Sequence, residues 1–546
     1  MRVLALLSFA LFPTAALLPG AAFAQPARPP KLIIAISVDQ YSSDLFDQYR
    51  ARLTGGLARL ASGTAYRNGY QGMSATETCP GHSTILTGAL PSRSGIIANS
   101  WFDLGQTRSD KAVYCAEDER VAGSSSSSYT VSPVHLKVPT LGELMKAANP
   151  ASRSVAVAGK DRSAVMMSGQ RPDQRWYWDG KKYATDLAGV ATPVSVGAAN
   201  QAVAALIAAP GLPLSPPADC AASARSVPLG DGSVSVGGGR LERAAGDARG
   251  FRATPAFDGM TLALAARLIG EMQLGKGAAT DIIAIGLSAT DYVGHKFGTG
   301  GGEMCLQLHS LDRDLGDFLR LMDRSGLDYA VMLTADHGGE DVPERLRLKG
   351  ISAAARTRPD LTPAAIGKAI GARLGLAGPV LIGEGAHGDV YLDTALKPAD
   401  RRRAEQAALA AYRADSQVEA VFTKAELART PLPTATPDRW SLVERARASF
   451  DVQRSGDLVV LLKRNITPIP DPTKGYVATH GSAWDYDRRV PILFWRPGAR
   501  PNDRPDAVGT VDIMPTLAAV LGLAIDASKI DGRCLVSAAV ATCPTR

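Results

Sequence analysis

Lys31–Asp39 reads KLIIAISVD, an apolar, β-branched run interrupted only by Ser37 and closed by an aspartate. A strand with one wet face would alternate apolar and polar residues. This run does not, so it reads as a strand covered on both faces, as in a parallel sheet flanked by helices. The same pattern recurs at Ser154–Ala158 (SVAVA), Asp281–Leu287 (DIIAIGL) and Ala330–Thr334 (AVMLT). Between these runs lie Ala- and Leu-rich stretches that read as helices: Gly56–Ala61, Thr140–Ala148, Met260–Met272 and Leu306–Met322. Such alternation predicts an α/β fold, a mostly parallel central sheet sandwiched by helices. Ligands of such sheets bind beyond the carboxyl ends of the strands.

Outward from this core, the rhythm breaks between about 342 and 473, a stretch rich in Ala, Arg and Pro that reads as an inserted accessory subdomain. The pattern resumes at Val490–Trp495 and closes with a helix near Val511–Leu521. At the other end, Arg2, the apolar run Val3–Phe12 and the small residues of Ala22-Phe23-Ala24 form a secretory signal peptide over residues 1–24, cleaved before Gln25. Residues 25–546 are then the exported mature chain, periplasmic or secreted. No later segment is long and apolar enough to predict a membrane span.

With 546 residues, 45% hydrophobic and 21% charged, the chain can build a large core. Its 60 basic and 53 acidic residues leave +7, without a basic run long enough to track a nucleic acid. Arg401, Arg402 and Arg403 read as a solvated helix face. These features call for no nucleic-acid or membrane partner and leave a monomer or an oligomer of unspecified size. Six cysteines in an oxidising compartment, none spaced CxxC, read as disulfides rather than a thiolate metal site. Cys534 and Cys543 are close enough to pair. Among the three pairings of the rest, proximity favours Cys79–Cys115 with Cys220–Cys305.

Acidic residues and histidines collect where the strands end. Asp39 follows the first run, Asp336-His337 the run AVMLT, and Asp291 comes shortly after DIIAIGL, with His295 one helical turn beyond. His480 precedes a glycine in Thr479-His480-Gly481. Each alone reads as a cap or turn former. Together they place three carboxylates and three imidazoles at one rim, a donor set suited to zinc, with manganese or iron as alternatives. Six ligands exceed one tetrahedral ion and fit two with three each. Thr78, in Ala75-Thr76-Glu77-Thr78-Cys79-Pro80-Gly81-His82, stands at a helix start, where it reads as an N-cap or as a nucleophile beside an anion site. Lys160 and Arg162, two apart in an extended Gly159-Lys160-Asp161-Arg162, are read as projecting together toward one anion. There is no GxSxG elbow, and Gly298–Gly302 lacks the Lys-Ser/Thr of a P-loop.

Seven motifs in this order, SVDQ, ATETCPGHST, GIIAN ending at Asn99, GKDR, SATDYVGH, TADHG and ATHGS, resemble the alkaline phosphatase superfamily, in particular the PafA/PhoK-like bacterial enzymes with a threonine nucleophile. The resemblance implies an alkaline phosphatase-like fold and two zinc ions. One would be held by Asp291, His295 and His480, the other by Asp39, Asp336 and His337 with Thr78. It implies attack by Thr78 on small phosphate monoesters through a phosphothreonine, with Asn99, Lys160 and Arg162 on the phosphoryl oxygens. His82 is expected to be structural or to support a ligand; His135, His309 and His387 have no role assigned. The competing reading is a nucleotide pyrophosphatase/phosphodiesterase. The Lys160/Arg162 pair favours a monoester, which brings two anionic oxygens where a diester brings one.

Overall fold

A computed structural model describes residues 28–536 and Cys543. The expected signal peptide lies outside the described residues. The strands of the main sheet are, in chain order, β1 (Leu32–Val38), β2 (Thr64–Tyr70), β3 (Ser154–Ala158), β4 (Gln174–Trp178), β5 (Tyr183–Ala184), β6 (Asp281–Leu287) and β7 (Tyr329–Thr334). Four strands of a second sheet come next, β8 (Leu381–Ile382), β9 (Gly388–Leu392), β10 (Val418–Thr423) and β11 (Leu458–Leu462), before the chain returns with β12 (Arg489–Trp495) and β13 (Asn502–Gly509). The nine-stranded order is β13-β2-β12-β7-β1-β6-β3-β4-β5. It is mostly parallel, as the sequence predicts. The exceptions are β12, antiparallel to both β7 and β2, and the short β5 against β4.

The helices that matter here are α1 (Gly56–Ala61), α2 (Thr78–Thr87), α3 (Asp161–Ser168), α4 (Pro255–Glu271), α5 (Ala289–Phe297), α6 (Gly302–Arg324), α7 (Pro363–Leu374), α8 (Pro398–Ala414) and α9 (Ile513–Leu521). Two of them begin earlier than their apolar periodicity predicts. For α4, Thr254 is the extended cap and Pro255 fills the first helical position, where its missing N–H costs nothing. For α6, the turn runs through Gly301 and the helix starts at Gly302.

Alternation along β1 explains its unbroken hydrophobicity. Leu32, Ile34, Ile36 and Val38 face a core shared with α4 and α6, while Ile33 and Ala35 face a second core with α2 and α9. Neither face meets water, and each fully buried isoleucine contributes about 1.5–3 kcal/mol. Strand register sets where the chain leaves the sheet. Val38 lies level with Leu287, and Ser37 with both Gly286 and Thr334, so β1, β6 and β7 end together. Asp39, Ser288 and Asp336 therefore emerge on one rim.

The second sheet, ordered β8-β9-β11-β10, carries α7 and α8 over a core of its own that includes Leu381, Val390, Leu458 and Val460. In α8, Arg402 and Arg403 are exposed, but Arg401 departs from the expected solvated face. It donates to Asp457 at 2.7 Å and to the carbonyl of Leu392, tying the helix to this sheet. The three disulfides are Cys79–Cys115, Cys220–Cys305 and Cys534–Cys543.

Candidate active site

Three loops and three helix starts converge on the rim. Asp39 is wholly buried, and its backbone N–H donates to Leu287 O at 2.8 Å, which ties the end of β1 to β6. Asp291 and His295 lie on α5 one turn apart, as their spacing predicts, with His295 Nε2 at 3.3 Å from Asp291 Oδ1. His480 arrives from a distant loop. That loop docks when Val477 N–H donates to His295 O at 2.8 Å and His295 Nδ1–H donates to Ala478 O at 2.9 Å. His480 Nε2 then also stands 3.3 Å from Asp291 Oδ1. Asp336 and His337 follow β7, with His337 Nε2 3.1 Å from Asp336 Oδ2. Two glycines make this crowding possible. Gly81 in α2 presses on the Asp336 carbonyl and Gly338 on the Tyr486 carbonyl, and at either position a Cβ would collide with backbone.

The histidines share one design. His295, His337 and His480 each direct Nδ1 to a backbone carbonyl, of Ala478, Gly338 and Thr76 respectively, at 2.8–2.9 Å. A carbonyl can only accept, so Nδ1 carries a proton and Nε2 is the ring nitrogen that points inward. Each Nε2 faces a carboxylate oxygen at 3.1–3.3 Å. Asp39 Oδ1, Asp291 Oδ1, Asp336 Oδ2 and His337 Nε2 are buried without a hydrogen-bond partner. Orphaned acceptors of this kind are costly unless a cation lies between them. The residues therefore fit a divalent metal. Burial, followed by the neighbouring charge of His337, holds the His480 imidazole down at about 4, which keeps it neutral as a ligand must be. The ring of His337 stacks on that of His480 at 3.5 Å between centroids.

Ligand atoms of Asp291, His337 and His480 lie within 4.8 Å of one another, as do those of Asp39, His82 and Asp336. His82 is thus closer to the centre than the sequence suggested. It lies one turn along α2 with its Nε2 3.3 Å from Asp39 Oδ1 and its Nδ1 within 2.9 Å of Thr78 O. A third cluster, Cys220, Cys305 and His309, offers no thiolate because both sulfurs are in a disulfide. His309 instead meets Asp219 at 2.9 Å, and His135 meets Glu119 at 3.0 Å.

Thr78 is the first residue of α2, buried, and Glu77 rather than Thr78 is the extended residue that caps the helix. The threonine hydroxyl is therefore not consumed in capping. Arg162 Nη2 reaches Thr78 Oγ1 at 3.5 Å. Arg162 is not in the extended segment that the sequence predicts. Lys160 is the extended cap of α3 and Arg162 the second residue of that helix, so turning, not β-alternation, aims the two inward. Lys160 Nζ lies 2.9 Å from Asp39 Oδ2 and 2.6 Å from Asp291 Oδ2. Burial opposes its charge, but the Asp291 and Asp39 carboxylates overcome that and hold it above the usual lysine range. Burial likewise works against ionised Asp291, and His295 with Lys160 keeps its pKa well below the usual carboxylate value.

Asn99 is locked from three sides. Its N–H donates to Glu77 Oε2 at 2.6 Å, its Oδ1 accepts from Cys79 N–H at 2.8 Å, and its carbonyl accepts from Cys115 N–H at 2.9 Å, beside the Cys79–Cys115 bridge. With Oδ1 occupied, the amide NH₂ is the end left to donate. Beside it opens a cavity of about 390 Å³, with Asp389 and Tyr391 of β9 on its far wall. Sequence reasoning missed Tyr114, whose hydroxyl donates to Asp161 at 2.8 Å and accepts from Arg162 at 3.3 Å. It also missed Ser288, which donates to Asp39 Oδ2 at 3.0 Å, and Tyr476, stacked on His295 at 4.4 Å. Ser288 could have been found as the residue closing β6 level with Asp39. Nothing local marks the two tyrosines.

A family model for type I phosphodiesterase/nucleotide pyrophosphatase matches residues 33–483, a span that takes in every candidate site residue named above. The chain belongs to that family. Among its relatives, alkaline phosphatase PhoK of Sphingomonas sp. is 54% identical over 512 residues, covering 93% of this chain and 91% of that one. Alkaline phosphatase PhoD of Zymomonas mobilis is 46% identical over 522 residues, with 94% and 90% covered. The fold is that of the alkaline phosphatase PafA crystal structure, with TM-score 0.78 at 24% identity over 93% of this chain and 98% of that one. The α/β sandwich expected from the strand pattern is thus this family's fold.

Proposed function

We propose that the chain is an alkaline phosphatase that hydrolyses small phosphate monoesters with Thr78 as nucleophile. The observation that carries the reading is the set of inward-facing Nε2 atoms and orphaned carboxylate oxygens around a buried threonine hydroxyl that caps nothing. The alkaline phosphatases PhoK and PhoD, at 54% and 46% identity, support it. Asp291, His295 and His480 would hold one zinc ion, and Asp39, Asp336 and His337 the other, with His82 supporting Asp39 and Asp336. The ions supply the positive charge that lowers the hydroxyl's pKa and offsets charge on the reacting oxygens.

The protein's own groups do the rest. Asn99 donates to a phosphoryl oxygen through its amide, and Arg162 pairs with the same group from α3. Lys160 balances the Asp39 and Asp291 carboxylates and presents its ammonium to the phosphoryl group as that group enters. Thr78 Oγ, its proton lost to solvent, forms a bond to phosphorus as the bond to the leaving oxygen breaks on the opposite side. Water then forms its own bond to phosphorus while the Thr78 Oγ–P bond breaks, releasing phosphate. The segment 342–473 is read as an accessory subdomain grafted onto this catalytic unit. Three disulfides suit an oxidising compartment, and among the described residues no helix is long and apolar enough to cross a membrane. The disulfides accord with export.

The test is hydrolysis of p-nitrophenyl phosphate against bis-p-nitrophenyl phosphate, before and after chelation. The monoester should be the better substrate, chelation should abolish turnover, and zinc should restore it better than magnesium, which prefers all-oxygen shells. A better diester would return the phosphodiesterase reading, and full rescue by magnesium alone would refute the imidazole ligand set.

A further inference from the structure

A second cleft, of about 170 Å³, adjoins the Asp291–His295 side of the site. Its inner wall is Tyr292, next to Asp291 on α5, and Tyr476, which stacks on His295 and is 40% exposed. Three cations line the rest, Arg249, Arg252 and Lys296, against the single carboxylate of Asp247. Asp247 already accepts from Gly250 N–H as the cap of a short helical turn. None of the three cations forms an ion pair among the described residues. Arg252 lies over the Tyr292 ring at 4.5 Å and donates to its hydroxyl at 3.2 Å. On the inner side, Lys160 Nζ is 5.1 Å from the centroid of the same ring. Tyr292 thus separates a cation committed to the active site from cations with no carboxylate of their own.

We propose that this cleft receives the leaving group of the substrate and favours leaving groups that carry a second phosphate. The inference rests on the phosphatase reading: with Thr78 grouped with Asp39, Asp336 and His337, in-line attack sends the leaving oxygen to the other side, that of Asp291, His295 and His480. A neutral leaving group needs only the tyrosine walls. A second phosphate gains charge-assisted contacts from three cations that no carboxylate already neutralises. The substrate class is therefore the sugar bisphosphates and kindred bis-phosphorylated metabolites, recognised by one phosphate at Thr78 and the other in the cleft.

The experiment uses the metal-loaded enzyme and compares kcat/KM for fructose 1,6-bisphosphate with that for fructose 6-phosphate. In Arg252→Met, and separately in Arg249→Ala combined with Lys296→Ala, the bisphosphate-to-monophosphate ratio should fall about tenfold, the loss typical of one to two charged contacts near solvent. Added salt should lower the ratio in the native enzyme and much less in the variants. A ratio that stays within about twofold in both variants, or an equal loss for both sugars, overturns the proposal. If the native enzyme hydrolyses neither sugar phosphate, the phosphatase reading fails instead. Calorimetric binding of fructose 1,6-bisphosphate to the native protein and to Arg252→Met then decides the cleft by itself, since undiminished binding to the variant would end it.

Discussion

The carboxyl rim of the nine-stranded sheet and the core of the four-stranded sheet are built to opposite rules. At the rim, Asp39, Asp291, Asp336 and Lys160 are charged groups taken out of water, with acceptors left unpaired. In the smaller sheet, Leu458, Val460 and Leu392 close an apolar core under α7 and α8, and Arg401 of α8 is paired with Asp457. Buried charge with unpaired acceptors is costly, and such groups concentrate at functional sites. The contrast is what the proposed function requires, a rim that gives up stability for chemistry. The smaller sheet supplies its own stability and, through β9, a wall beside Asn99.

If that division is right, substitutions at the rim should collapse turnover and spare folding. The largest effect belongs to Thr78→Ala, which should lower kcat for p-nitrophenyl phosphate by at least about a thousandfold while leaving metal content and the melting transition in place. Thr78→Ser should keep part of the activity, because a hydroxyl remains. Substantial turnover in the alanine variant would rule out the covalent route.

A smaller loss sharpens the comparison within the rim itself. Removing Lys160 and Arg162 together should reduce monoester kcat/KM roughly thirty- to more than a hundredfold, from about 2–3 kcal/mol for each charged contact, with a lesser loss for the diester. Because both act on one group, and Lys160 also neutralises Asp39 and Asp291, the double variant need not equal the sum of the singles. Equal losses on the two substrates would mean that the pair does not read the second anionic oxygen.

The smallest effect on catalysis, and the largest on folding, should come from the other region. Leu458→Ala in β11 empties a fully buried site and should cost about 2–5 kcal/mol, read as a lower denaturation midpoint. The kcat/KM of the folded enzyme should change by less than about threefold. A variant that folds normally yet loses activity on a par with the Lys160/Arg162 pair would show that the smaller sheet takes part in the reaction.

Much of this was legible in the chain. The buried strands announced themselves because a parallel sheet covered on both faces leaves no polar alternation, and KLIIAISV, SVAVA and DIIAIGL have none. Asp291 and His295 could be paired because four residues make one helical turn, a purely local rule. Asp39, Asp336 and His337 were marked by lying directly beyond strand ends. What the sequence could not decide was anything set by contact between distant segments. The placing of His480 beside Asp291 depends on the docking of Val477 and Ala478 onto His295, about 180 residues away. Alternation along a strand would put Lys160 and Arg162 on one side, yet a helix begins between them, because the local pattern of four residues does not say where the strand stops. His82 moved toward the candidate metal ligands, and Tyr292 came to stand between Lys160 and Arg252, for the same reason. Periodicity and strand ends are properties of neighbours in the chain, whereas a polar site is assembled by the packing that brings its loops together, and only the folded chain contains that.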